Sequence, residues 1–285
     1  MERASTGSDE RYARQLVLPE IGVVGQGKLE QARVLVVGAG GLGCPVLLYL
    51  AAAGVGHLGV ADDDLVSLSN LQRQVLYIMD DLGKDKVHVA RERLLALNPE
   101  VDITLIEEKI TAQNAIEYLA DYHCVVDATD NLPSRYLLSD ACQLLGIPLV
   151  YGAVYRLEGQ VSVFHLASAR YPEGLSYRDL YPAPPPPEEA PDCSQVGVLG
   201  ALTGMVGTMQ ALEVIKIICG GGEPLSGRLW VFDAMSGCSR TLVIPWQGST
   251  KPVDGLIDYE AFCGHAPKAD QRLIQVAEVE EWLAK

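Results

Sequence analysis

The stretch Gly38-Ala39-Gly40-Gly41-Leu42-Gly43 separates a largely apolar, β-branched run, Arg33–Val37, from a helical pattern over Leu42–Gly54. Glycines at such a junction let the backbone turn tightly and approach a phosphate, and the N-terminus of the following helix favours the phosphate's charge. Asp62 closes the next apolar run, His57–Asp62, where an acidic side chain can hold ribose hydroxyls. A strand, a glycine turn, a helix and a second strand ending in a carboxylate predict an adenine-nucleotide site lined by Gly38, Gly40, Gly41, Gly43 and Asp62. The glycines do not choose between nucleotides, and NAD is the default for this fingerprint.

The charged groups that follow are better suited to phosphate chemistry than to hydride transfer. Asp62-Asp63-Asp64 leads into a polar segment carrying Asn70, Arg73 and Gln74, with Lys86 shortly after. Arg73 offers a planar fork of donors and Lys86 a mobile point charge, both within reach of a triphosphate. A fourth apolar run, Cys124–Ala128, ends in Asp127, Asp130 and Asn131. Asp130 is placed to hold Mg2+, which prefers one or two carboxylates together with substrate phosphate oxygens. The five histidines offer a dehydrogenase little: His57 and His165 fall in strands, His88 on a helix face, His123 at a strand start and His265 near the tail, and a structural role is expected for each.

These groups must be positioned by a parallel sheet. Apolar runs at Arg33–Val37, His57–Asp62, Val101–Ile106, Cys124–Ala128 and Pro148–Tyr151 alternate with helical patterns at Leu42–Gly54, Lys84–Ala96, Ala112–Leu119 and Pro133–Leu145. Strands apolar on both faces with helical crossovers predict a Rossmann-like, largely parallel α/β sheet with helices on both faces. Beyond residue 155 the rhythm changes, and Gly159–His165, Arg228–Phe232 and Arg240–Ile244 are expected to extend the sheet antiparallel. The Pro-rich stretch Ala167–Ser194 reads as extended, poorly packed chain.

With 22 Lys+Arg against 37 Asp+Glu the net charge is −15, which disfavours nucleic acid and anionic membrane surfaces as partners. Seven irregularly spaced cysteines form no disulfide framework, and no apolar h-region opens the chain, so a reducing, cytoplasmic location is expected. The uncharged stretch Cys193–Leu212 is read as a helix buried in protein rather than a membrane span.

At this point the sequence resembles a known family. Glu10-Arg11-Tyr12-Ala13-Arg14-Gln15, GAGGLGCP, VSLSNLQRQVLY, DATDN, EGQVSVF (158–164) and GTMQALEVIK (207–216) are similar to motifs of the ubiquitin-activating-like adenylyltransferases MoeB and ThiF, most closely the MoeB branch. The resemblance covers about residues 10 to 245. It implies ATP-dependent adenylation of the C-terminal glycine carboxylate of a small ubiquitin-like sulphur-carrier protein, with release of pyrophosphate. It places Gly41, Asp62, Asp64, Asn70, Arg73, Lys86, Asp130 and Asn131 at ATP-site positions. It further implies a homodimer in which Arg14 reaches the neighbouring subunit's ATP site. A peptide-adenylating relative and a catalytically reduced dimeric scaffold are the alternatives.

The chain departs from that family in three places. Many members hold a structural zinc with two C-x-x-C pairs; here the first reads Ser176-Tyr177-Arg178-Asp179, and Trp246–Thr250, where the second would fall, has no cysteine. No zinc is expected, and the loop around Ser176 should be less tied to the core. Cys193 matches a mobile-loop cysteine that is a candidate nucleophile in relatives, whereas Cys44, Cys124, Cys142 and Cys219 read as core. Residues 251–285 form a tail, set apart from an adenylating domain over 1–250 with its N-terminal helical arm. The tail resembles a linker leading to a rhodanese domain, with Ile274–Ala284 like its opening strand and helix. A separate sulphur donor, such as a rhodanese or a cysteine desulfurase, is expected.

Overall fold

The computed structural model describes residues 10–185, 197–245 and 253–264. Every apolar run above becomes a strand of one eight-stranded sheet: β1 (Arg33–Val37), β2 (His57–Ala61), β3 (Asp102–Ile106), β4 (Cys124–Asp127), β5 (Leu149–Tyr155), β6 (Glu158–Phe164), β7 (Arg228–Asp233) and β8 (Cys238–Val243). The order is β3-β2-β1-β4-β5-β6-β7-β8, parallel through β5 and antiparallel beyond it. β5 runs to Tyr155, past the expected Tyr151, because the added residues pair with β6 in a tight hairpin. The strand order reverses direction between β1 and β4, which leaves a crevice outside their carboxyl ends.

Alternate residues of β1 serve two cores. Val34 and Val36 pack with helices α3 (Gly43–Ala53), α4 (Lys86–Leu97) and α8 (Gly200–Cys219), whereas Leu35 and Val37 pack with α5 (Ala115–Leu119) and α6 (Leu132–Leu145). Sheet strands buried on both faces account for the unbroken apolar runs. Two helix starts fall later than their patterns suggested. Asp85 is extended and bridges to Leu65, so α4 begins at Lys86. Asn114 Oδ1 accepts the Thr111 N–H at 2.7 Å, a turn that delays α5. Cys44, Cys124, Cys142 and Cys219 are all buried, as expected.

Among the described residues one helix, α8, is long and apolar enough to cross a membrane. It starts at Gly200 rather than near Cys193, since Gly197 is left-handed (φ 77°) and Val198 bridges to Arg156. It packs against β5, β6 and α3, and two of its buried polar side chains tie it to the sheet and to the loop before β7. Gln210 Nε2 donates to Asp127 O at 2.7 Å, and buried Glu213 accepts the Leu225 N–H at 2.8 Å and pairs with Lys216.

The segment around Ser176 corrects a sequence expectation: it is tied firmly to the core. Ser176 N–H and Oγ donate to Asp179 Oδ2 at 2.7 and 2.8 Å, and both Ser176 and Tyr177 are buried. This turn caps the short helix α7 (Tyr177–Leu180), and Arg178 makes a bidentate pair with buried Asp140. The described donors here are a hydroxyl, a carboxylate already hydrogen-bonded and a guanidinium, so they do not fit the thiolate site that zinc requires. Trp246–Thr250, Cys193 and Ile274–Ala284 lie outside the described residues. Metal analysis of protein prepared without added metal is expected to find no stoichiometric zinc, and a chelator should leave the melting temperature unchanged. One tightly bound zinc per chain would overturn that expectation.

Candidate active site

A cavity of about 460 Å3 opens at the crevice between β1 and β4. Its floor is the glycine turn. Gly38 is left-handed (φ 98°), and a Cβ there would stand 2.6 Å from Ala128 O; a Cβ on Gly43 would stand 1.9 Å from Gly38 O. Side chains at these positions would separate α3 from the sheet ends. Gly40 and Gly41 face the cavity, and the stem of Arg73 lies over Gly41.

Residues 62–86 leave β2 and return to almost the same place, where Lys86 N–H donates to Asp64 O at 3.1 Å. Within this excursion Asn70 Oδ1 accepts the Ser67 N–H at 3.2 Å, shaping the turn Leu68–Asn70. Arg73 Nη1 donates to Ser69 O at 3.0 Å, which holds the guanidinium at the cavity wall. Gln74 is buried beside Gly40.

Lys86 occupies an unfavourable place. It is the first residue of α4, where the helix dipole repels a cation, and it is only 3% exposed. Two carboxylates offset this: Lys86 Nζ lies 2.7 Å from Asp64 Oδ2 and 3.5 Å from Asp62 Oδ1. Asp62 in turn accepts the Ala39 N–H at 2.7 Å and the Asp64 N–H at 3.0 Å, linking the glycine turn to the cation. Burial raises the Asp62 carboxyl above its usual range, and the ammonium of Lys86 opposes that rise. Carboxylates of Asp62, Asp63 and Asp64 lie close together, and Lys86 pairs with two of them, Asp62 and Asp64.

The opposite wall is built by the end of β4. Asp127 is fully buried, and its Oδ1 accepts from the Thr129 N–H (3.0 Å) and Oγ1 (2.6 Å). That turn presents Asp130 at the cavity rim, and Asn131 Oδ1 caps α6 through the Ser134 N–H at 2.9 Å. Burial raises the Asp127 carboxyl, with the Arg135 guanidinium acting against it. Arg135 Nη2 donates to Thr129 O at 3.3 Å.

The structure therefore brings Gly38, Gly40, Asp62, Asp64, Gly41, Asn70, Arg73, Gln74, Lys86, Asp130 and Asn131 to one cavity. Gly43 supports the turn from behind. Arg14 is exposed on α1 (Ala13–Leu16) and does not line this cavity; Tyr12 beside it packs on Gly54 and hydrogen-bonds Asn98, at the amino ends of the strands. Arg135, Lys109 and Thr203 were not singled out from sequence, yet all line the cavity. Arg135 carried a legible signal, since one helical turn beyond Asn131 returns it to the same edge. Thr203 reaches the site from α8, which no local pattern shows.

Lys86→Met is expected to destabilise the fold by about 1–3 kcal/mol at neutral pH, because Asp62 loses its main counter-charge. In the variant the folded-state pKa of Asp62 rises further above its unfolded value. The folded chain then binds more protons, so stability falls as pH rises through that pKa and returns on acidification. Thermal melts from pH 4 to 8 read this directly. A penalty independent of pH would show that Asp62 does not depend on Lys86.

Known proteins resemble this chain in sequence and in fold. The chain is 49% identical over 261 residues to the "Sulfur carrier protein adenylyltransferase" of Thermus thermophilus, covering 90% of this chain and 96% of that protein. It is 46% identical over 293 residues to the "Probable adenylyltransferase/sulfurtransferase MoeZ" of Mycobacterium tuberculosis, covering 99% and 74%. An "Adenylyltransferase and sulfurtransferase MOCS3" from Culex quinquefasciatus is 49% identical over 260 residues, of which the match spans 58% of its length and 89% of this chain. Among solved structures, Escherichia coli MccB with MccA-N7isoASN superposes with a TM-score of 0.74 at 22% identity, covering 85% of this chain and 74% of that one. The model of the ThiF family matches residues 12–248. By its sequence the chain belongs to the ThiF family.

Proposed function

We propose that the chain is an ATP-dependent adenylyltransferase that activates the C-terminal glycine carboxylate of a small ubiquitin-like sulphur-carrier protein. One observation carries this most directly. The cavity sets Arg73, Lys86 and Arg135 around a glycine turn, with no histidine among its described lining residues. The attacking carboxylate is ionised at neutral pH and needs no general base. A carboxylate oxygen attacks the α-phosphorus, the new acyl–phosphate bond forms, and the bond to the β-phosphate oxygen breaks to release pyrophosphate. Two anions must meet, so the catalytic demand is charge neutralisation and alignment. Arg73 and Lys86 supply charge on the phosphates, Asp62 suits the ribose, and Gly38, Gly40 and Gly41 let the backbone approach.

Asp130 fits Mg2+ better than the carboxylates beside Lys86, since it offers a hard oxygen at the cavity rim away from that ammonium. Mg2+ held there would neutralise phosphate charge. Arg14, exposed and outside its own cavity, is assigned to the cleft of a second copy. The exposed apolar residues Met205 and Leu212 on one stripe of α8, with Val23 and Val24 on α2 (Gly22–Gln31), suit a homodimer interface.

ATP–pyrophosphate exchange should appear with a Gly-Gly-ending carrier and be abolished by Arg73→Ala or Asp130→Ala while the circular dichroism spectrum is retained. Full activity in either variant would refute the site. In an equimolar mixture, inactive Arg14→Ala and Asp130→Ala chains should recover on the order of a quarter of wild-type activity, since half the dimers hold one intact composite site. No recovery in mixed dimers of demonstrated composition would place Arg14 elsewhere.

A further inference from the structure

Residues 253–264 lie across α6. Between them and residues 109–113 is a second cavity of about 590 Å3, and Lys109, Ile110, Ser134 and Leu137 wall both this cavity and the nucleotide cleft. Two anchors hold the segment. At the first, the fully buried Asp140 accepts Arg178 Nε at 2.9 Å, Arg178 Nη2 at 2.7 Å and Tyr259 OH at 2.7 Å. The Arg178 guanidinium also lies over the rings of Tyr136 and Phe262, 5.1 and 4.8 Å from their centroids. At the second, Lys109 Nζ lies 2.8 Å from Glu260 Oε1 at the edge of the cleft.

Asp140, Arg178 and Tyr259 come from three distant parts of the chain, and Asp140 has no access to water. Such a buried carboxylate is stable only while its donors are in place, so the segment is held in one position or released. This side-chain clamp reaches residues 253–264 as well as α7.

We propose that residues 253–264 are a strap that completes the nucleotide cleft. Latched at Asp140, the strap fixes Lys109 through Glu260 and steadies the Ile110–Leu137 wall. Nucleotide binding and strap docking therefore favour each other by the same factor. The inference rests on reading the cleft as an ATP site. Lys109 lines the cleft, and Tyr259 and Glu260 are positioning residues.

The test uses the full chain, Mg-ATP, hydrogen exchange over 253–264 and calorimetric binding. In the wild type, ATP should slow exchange of the Phe262 and Cys263 amides, which bond to Asp258 and Tyr259 carbonyls. Tyr259→Phe and Glu260→Gln are mild enough to keep the fold. Each should speed strap exchange and raise the ATP Kd about fivefold, at the low end for coupled sites. In the exchange assay the KM for ATP should rise while the rate at saturating ATP is retained, a split that general destabilisation does not produce. An unchanged Kd in both variants, or strap exchange indifferent to ATP, overturns the strap. Failure of the wild type to bind ATP at all overturns the reading of the cleft, and the strap with it.

Discussion

The close contact between α3 and the ends of β1 and β4 is the constraint on which the rest of the molecule depends. Gly43 touches the Gly38 carbonyl, and Gly38 touches the Ala128 carbonyl, with no room for a Cβ at either place. That contact brings the amino end of a helix to the point where the sheet order reverses. A crevice whose floor is backbone follows, and a polyanion is the ligand such a floor can stabilise. Everything charged in the cavity is arranged around this turn. Asp62 binds the Ala39 N–H, Lys86 binds Asp62, and Arg73 lies over Gly41.

Lys86 shows how the site departs from what stability alone would favour. A buried cation at a helix start is opposed by desolvation and by the dipole, and Asp62 and Asp64 compensate for both. Asp127 is similar on the other wall: a buried carboxylate held by Thr129 and beside Arg135, it shapes the turn that carries Asp130. Such local costs are tolerated because the charge is needed where the phosphates would lie. The cavity gathers four cations, Arg73, Lys86, Lys109 and Arg135, beside five carboxylates, so an anionic ligand there depends on where those cations stand and not on net charge.

Much of this was legible in the sequence, for reasons that can be stated. Strands buried on both faces leave unbroken apolar runs, which made β1, β2 and β4 visible. β3, β7 and the exposed β8 were readable from short runs of strand-forming residues, and the ends of all eight strands fell within a few residues of expectation. The glycine turn, Asp62, Arg73 and Lys86 were readable because they sit at successive strand and loop ends close to one another in the chain. Thr203 was not, because α8 returns to the cleft from far along the sequence. Lys109 was not, because its partner is Glu260, and no local pattern links the two.

Ser176-Tyr177-Arg178-Asp179 is the instructive failure. Read as a C-x-x-C pair without its cysteines, it implied only loss, and a loop left loose. The replacement residues instead satisfy one another, Ser176 with Asp179, and turn Arg178 inward onto Asp140. A metal ties together only the residues that ligate it, whereas a guanidinium has two faces and several donors. Arg178 uses its donors on Asp140 and its faces on Tyr136 and Phe262, so it joins α6, α7 and the segment containing α9 (Tyr259–Phe262) in a single cluster. This cluster does more than preserve a fold. It makes the order of residues 253–264 depend on the same helix, α6, whose first turn walls the nucleotide cleft.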